Sequence, residues 1–134
     1  MPGKPILHNA VETRLQLAPF NVPTSNGKII QEHIGAASIE VADISIARMV
    51  APPFWTESFQ IADLDEVTYV IRGVFTVETV SGMTKVGALQ SILVFKGTKV
   101  RYSNPAEEEC EYISVCTPAF TLERVKRFLA LTCI

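Results

Sequence analysis

From Asp65 to Pro118 the chain is a series of short apolar runs with a turn about every ten residues, a rhythm that few folds accommodate. The runs are 66–72, 74–80, 91–95, 99–103 and 110–117, punctuated by Gly73, Ser81-Gly82 and Gly97. Strands this short and closely spaced predict an antiparallel sandwich or barrel. Upstream, 28–34 and 37–50 are rich in Ile and Val, with breaks at Gly35 and at Ala42-Asp43. Ala51-Pro52-Pro53 stops the second run, because consecutive prolines remove ladder donors and push the preceding residue to an extended conformation. Residues 19–27, rich in Pro, Asn and Ser, read as a loop that sets off an N-terminal arm, 1–27, from a barrel, 28–118. Beyond Pro118 the period changes. Leu122, Val125, Phe128, Leu129 and Leu131 fall at helical spacing behind a capping Thr121, which predicts one C-terminal α-helix within 119–134 on the barrel exterior.

The bulk numbers narrow the function. With 134 residues, 48% of them hydrophobic, the expectation is a single domain, 1–134, with one substantial core. A net charge of −2 leaves no cationic excess for a row of phosphates or an anionic bilayer, so nucleic-acid and membrane partners are disfavoured. No stretch approaches the ~18 apolar residues of a membrane span, and Met1-Pro2-Gly3-Lys4-Pro5 does not open a signal peptide. The expected location is cytoplasmic. Cys110, Cys116 and Cys133 form no CxxC and have no zinc-finger histidines. On one extended strand Cys110 and Cys116 would stand about 20 Å apart, out of disulfide reach, and read as packed thiols.

The segment Asp65-Glu66-Val67-Thr68-Tyr69-Val70-Ile71-Arg72-Gly73, then Phe95-Lys96-Gly97 and later Cys116-Thr117-Pro118-Ala119-Phe120, resembles the cupin superfamily over about the last two thirds of the chain. The resemblance implies an all-β double-stranded β-helix, or jelly-roll barrel. Counting back from Gly73 places the family's glutamate on Glu66. The family's metal-binding histidines would fall on Gln60, Ala62 and Val100, so no metal and no cofactor are expected. Phe95 stands where the second motif has proline, and Leu89-Gln90 replaces its Gly-Asp turn. Within the superfamily the Asp65-Glu66 pair and Lys96-Gly97 are similar to the ethanolamine-utilisation cupins, which also lack the histidines. Small cupins are commonly dimers, so a homodimer is implied.

With Glu66 inward, the two-residue period of a strand puts Thr68, Val70 and Arg72 on its face and Val67, Tyr69 and Ile71 outside. The outer set is the more apolar, which an outer cover, either the N-terminal arm or a second subunit, would explain. Arg48 shares a face with Ile44, Ile46 and Val50 and is a candidate partner for Glu66. Parity with Val100 turns Tyr102 inward, and Tyr112 and Ser114 are candidates from the next strand. Gln60, Thr68, Phe95 and Val100 complete the expected lining of a small-molecule pocket.

Such a pocket points to proton transfer. A carboxyl group among apolar side chains has its charged form disfavoured and serves as general base or acid near neutral pH. Glu66 is the candidate proton carrier, with Tyr102 donating to a developing oxyanion. No nicotinamide motif supplies an electron acceptor, so isomerase, lyase or cyclase chemistry fits best. Two other readings stay open: a binding or sensing module that leaves its metabolite unchanged, and acetate or acyl-phosphate chemistry suggested by the ethanolamine-utilisation resemblance alone. Glu66 also reads as a structural residue bonded to a loop amide or to Arg48. Asp63 and Asp65 read as turn residues, His8 and His33 as surface or interface residues, and Trp55 as a loop anchor. Glu107 to Glu109 form a solvated turn, while Arg124, Lys126 and Arg127 make the outer face of the expected helix. Lys96 and Arg101 are either exposed loop charges or cations at the barrel mouth that hold an anion.

Overall fold

Alternation decides where the strands put their side chains. In Cys110–Thr117 the residues Cys110, Tyr112, Ser114 and Cys116 are buried, and Glu111, Ile113 and Val115 between them are half-buried. The structure, a computed structural model, describes residues 6–9 and 12–128. It begins with a separate antiparallel pair, β1 (Ile6–Asn9) and β2 (Arg14–Gln16). β3 (Phe20–Asn21), β4 (Ile29–Ile34) and β5 (Ser45–Ala51) follow. Then come β6 (Trp55–Thr56), β7 (Gln60–Ala62), β8 (Asp65–Arg72), β9 (Phe75–Thr79) and β10 (Gly82–Val86). β11 (Ser91–Val94), β12 (Lys99–Asn104), β13 (Cys110–Thr117) and β14 (Val125–Arg127) complete the described chain.

Two antiparallel six-stranded sheets result. One runs β11-β8-β13-β5-β4-β3; the other runs β10-β9-β12-β7-β14, with β6 pairing on β12. Between them Trp55, Val70, Phe75, Val77, Val86, Val100, Tyr102 and Tyr112 form the main core. Each of the larger apolar side chains contributes about 1.5–3 kcal/mol on burial. Phe75 is central, with its ring 4.4 Å from that of Tyr112 and 5.2 Å from that of Tyr102. The all-β jelly roll expected from the sequence is present.

The expected parity of β8 holds as far as Val70; Arg72, expected inward, is exposed instead and bonds to Glu109 and Glu111, because the pairing with β13 shifts register there. Thr68 and Val70 are buried, while Val67, Tyr69 and Ile71 are 37%, 41% and 38% exposed. With Leu93 from β11 they make a partly exposed apolar outer face. Among the described residues β1 and β2 pair only with each other, not with this sheet.

Two elements differ from expectation. No α-helix follows Pro118 among the described residues: Leu122–Arg124 is a short 3-10 turn, and β14 pairs antiparallel with β7. Short apolar runs fit either period, and here sheet pairing decided. Val125 lies opposite Ala62, whereas Leu122 is 81% exposed. Leu129 and Leu131 lie outside the described residues. Residues 37–41, read as strand, instead belong to a connecting turn that runs on through the expected break at Ala42-Asp43. The Glu32 carboxylate captures the N–H groups of Ala37 (3.0 Å) and Ser38 (2.8 Å), and Glu40 takes φ 61°. Gly35 permits this fold-back, since a Cβ there would come within 2.7 Å of the Glu32 carboxyl carbon and 2.8 Å of Ser45 Cβ.

Candidate functional site

Small and polar inward residues leave space inside the barrel. Ser45 and Ala47 on β5 and Ser114 on β13 face a cavity of about 460 Å³, whose apolar wall includes Ile30, Met49, Leu64, Phe75 and Phe120. The volume suits a small organic molecule.

Glu66 lies in this wall, and the bonds it accepts tie the two sheets together. Tyr102 Oη, from β12, donates to Glu66 Oε1 at 2.9 Å, and Ser114 Oγ, from β13 in Glu66's own sheet, donates to Glu66 Oε2. Both oxygens therefore have a hydroxyl donor, which fixes the plane of the carboxylate. Burial, reinforced by the Glu66 charge, raises the Tyr102 pKa well above its ordinary value. The phenol thus stays protonated across the neutral range and acts as a donor.

A second polar group shares the cavity. Arg127 on β14 is the cross-strand partner of Gln60 on β7, and its Nη1 donates to Gln60 Oε1 (2.8 Å) and to Glu57 Oε2 (3.3 Å). Burial disfavours charge on Glu57 and raises its pKa, although Lys28 and Arg127 oppose the shift. The Lys28 side chain also lines the cavity, with its Nζ 4.3 Å from the centroid of the Trp55 ring and 5.2 Å from that of Tyr112. Burial lowers its pKa, against the pull of Glu57 and Glu66.

Of the residues expected at the pocket, Glu66, Tyr102, Gln60, Tyr112 and Ser114 line it. Thr68 and Val100 are buried in the sheets and do not line it. Phe95 is 64% exposed on the turn after β11, and is outside. Arg48 is also outside: its Nε donates to Glu111 (2.7 Å) and its Nη1 to Gln31 (3.0 Å), so it is no partner of Glu66. The alternation of β5 places Ser45, Ala47 and Met49 inward and turns Arg48 away. Arg127, expected on an outer helix face, instead reaches the cavity because β14 is a strand. Lys96 and Arg101 do not line the cavity. The Lys96 backbone N–H donates to Asp65 Oδ1 (2.8 Å), and the Arg101 fork grips Glu78 Oε1 at 3.0 and 2.6 Å. Sequence reasoning overlooked Lys28, Glu57 and Arg127. Parity would have given Lys28, which precedes Ile30 and Glu32 by even steps.

A metal does not fit the residues present. Among the described residues no three His, Cys, Asp or Glu side chains cluster as ligands. Gln60 is engaged by Arg127, and both Glu66 oxygens carry hydroxyl donors.

No family model matches the sequence. A Myxococcus xanthus protein named endoribonuclease YbeY is 39% identical over 102 residues, which are 76% of this chain and 35% of that protein. The chain thus spans about a third of that relative's length. Oxalate decarboxylase from Bacillus subtilis superposes on 90% of this chain and 33% of its own with a TM-score of 0.72 and 16% identity. The EutQ protein of Clostridium difficile aligns over 72% of this chain and 69% of its own, with a TM-score of 0.60 and 20% identity. A protein from Klebsiella pneumoniae with a double-stranded β-helix domain aligns over 81% and 91%, with a TM-score of 0.65 and 17% identity. At these identities the likeness establishes a shared fold.

Proposed function

We propose that this chain, a cupin by fold with EutQ among its structural neighbours, is an enzyme that moves a proton on a small organic molecule held in the barrel cavity. The observation that carries the reading is the Glu66 carboxylate, oriented inside the cavity by Tyr102 and Ser114. With a hydroxyl donating to each oxygen, Glu66 starts the cycle as an acceptor and abstracts a proton from the substrate. Once Glu66 is protonated, the single Tyr102 O–H, kept on the phenol by burial, turns from Glu66 to the oxygen on which negative charge develops, and if it gives up its proton there Glu66 replaces it. Ser114 positions the carboxylate. Isomerisation, elimination and cyclisation all share this proton transfer, and no step needs a metal.

The name of the Myxococcus xanthus relative does not alter the reading. Endoribonuclease is said of a protein of which this chain spans about a third. A phosphodiester backbone calls for a cationic groove, whereas this cavity sets Glu32, Glu57 and Glu66 beside Lys28 and Arg127.

Incubation with a metabolite mixture, followed by mass spectrometry, tests the proposal. Wild-type protein should convert one component, and Glu66→Gln should lose that conversion while its circular dichroism is unchanged. Undiminished turnover by Glu66→Gln would overturn the proton-carrier role. Binding without conversion by the wild type would make the chain a binding module.

A further inference from the structure

Lys28 brings an amine to the cavity that the proton transfer at Glu66 does not use. Among the described residues its Nζ makes no hydrogen bond or ion pair, and its contacts are the ring faces of Trp55, at 4.3 Å, and Tyr112, at 5.2 Å. Trp55 Nε1 and Tyr112 Oη are shut away without partners, whereas Lys28 Nζ, equally unpartnered, is open to the cavity that its side chain lines. Burial outweighs the pull of Glu57, Glu66 and Cys110 and, helped by Arg127, holds the Lys28 pKa below the ordinary lysine value. A lysine desolvated in this way, with its lone pair engaged by nothing, is a nucleophile toward a carbonyl carbon.

Its neighbours supply the acid and the base that carbonyl addition needs. Glu57 Oε2 accepts from Arg127, while Glu57 Oε1 has no partner among the described residues. Burial raises the Glu57 pKa, so this free oxygen is suited to carry a proton. Glu66 is held as an acceptor instead, by a hydroxyl donor on each oxygen. Both carboxyl groups are near enough for their charges to be felt at Lys28. The cavity therefore sets one amine beside two carboxyl groups whose surroundings give them different roles.

We infer that Lys28 is a catalytic residue that holds an aldehyde or ketone in the cavity covalently, as an imine. Its nitrogen lone pair forms the bond to the carbonyl carbon, the C=O π pair moves to oxygen, and the proton shed by nitrogen ends on that oxygen as a carbinolamine. Glu57 then protonates the hydroxyl, which leaves as water while nitrogen closes the C=N bond of a protonated imine. The positive nitrogen acidifies the adjacent C–H. Glu66 takes that proton, and the electron pair it leaves is drawn toward nitrogen, giving an enamine. Return of the proton to carbon and hydrolysis of the imine free the product and Lys28 and restore the Glu57 proton, with no net oxidation or reduction. The inference deepens the proton-transfer reading, on which it rests for the Glu66 step alone.

Reductive trapping tests the inference. The full chain is incubated at pH 7 with acetone, hydroxyacetone or cyclohexanone and sodium cyanoborohydride, which reduces an imine to a stable amine. At least one ketone should add once per chain, and peptide mapping should place the adduct on Lys28 ahead of the exposed Lys85, Lys96 and Lys126. Lys28→Met should lose the adduct, and mapping on the wild type keeps the test valid if that variant does not fold. Glu57→Gln should form the adduct more slowly for want of an acid to expel water; an unchanged rate would remove Glu57 from the step. In deuterated water the trapped ketone should also exchange its hydrogens beside the carbonyl, and Glu66→Gln should keep the adduct and lose the exchange. No adduct with any of the ketones, or labelling that favours the exposed lysines over Lys28, would overturn the inference. An adduct at Lys28 with exchange that ignores Glu66 would support the lysine and overturn the proton-transfer reading alone. Exchange that needs Glu66 yet proceeds with no adduct at Lys28 would do the reverse.

Discussion

Replacing Tyr102 by Phe removes one oxygen and little else. The ring is 5% exposed and stacks on Phe75, so its apolar burial survives the change. The 2.9 Å bond to Glu66 Oε1 does not. A hydrogen bond to a charged acceptor contributes about 1.5–3 kcal/mol, and Glu66 keeps its Ser114 donor, so the expected loss lies within that range. For a chain of this size that is a fall in melting temperature of roughly 6–12 °C. Urea unfolding followed by circular dichroism measures the loss. A double-mutant cycle with Glu66→Leu isolates the bond, with an expected coupling of about 1 kcal/mol or more. Strict additivity of the two substitutions would refute the geometry on which both the orientation of Glu66 and the donor role of Tyr102 depend.

Gly73, at φ +86°, would carry a Cβ 2.6 Å from the Glu109 carbonyl oxygen, so Gly73→Ala should cost about 2 kcal/mol or more in urea unfolding. Burial raises the Glu57 pKa, so the stability this group contributes is complete below the ordinary carboxylate range and is lost as pH rises through its folded value. Melting curves should therefore show Glu57→Gln gaining on wild type as pH climbs from the ordinary carboxylate range toward neutrality; a pH-independent difference would contradict the burial. Burial pushes the Cys110 thiol up to about 11 and the Cys116 thiol up to about 12. Peptide mapping after iodoacetamide treatment at pH 8 should find both unmodified in the folded protein and alkylated once urea unfolds it.

The strand rhythm from Asp65 to Pro118 was legible because turn residues mark each break. The facing of the strands was harder to read, and β5 and β8 show why. The usual rule sends the more apolar alternate set inward. A barrel built around a cavity needs small and polar groups inside, so Ser45, Ala47, Glu66 and Thr68 point inward while Ile46, Val67, Tyr69 and Ile71 point outward. Family spacing corrected the rule for β8 and placed Glu66. No motif covers β5, and Arg48 was drawn inward with the apolar set around it. The missed residues share another cause. Glu57 sits in a connection without periodicity, and Arg127 belongs to a strand whose three residues carry no period of their own. Only the long-range pairing with β7 decides its direction, and such pairing leaves no local trace.

That pairing has a kinetic side. Among the described residues β14 is a three-residue strand at the border of its sheet, paired with β7 alone, yet it delivers the guanidinium that engages both Gln60 and Glu57. Border strands of this length fray at little cost compared with global unfolding. Each fraying event would withdraw a positive charge from the cavity and part its wall at Val125 while the core around Phe75 stays shut. Ligand exchange would then keep time with the rupture of a few main-chain bonds, and hydrogen exchange at Val125 to Arg127 would serve as its clock.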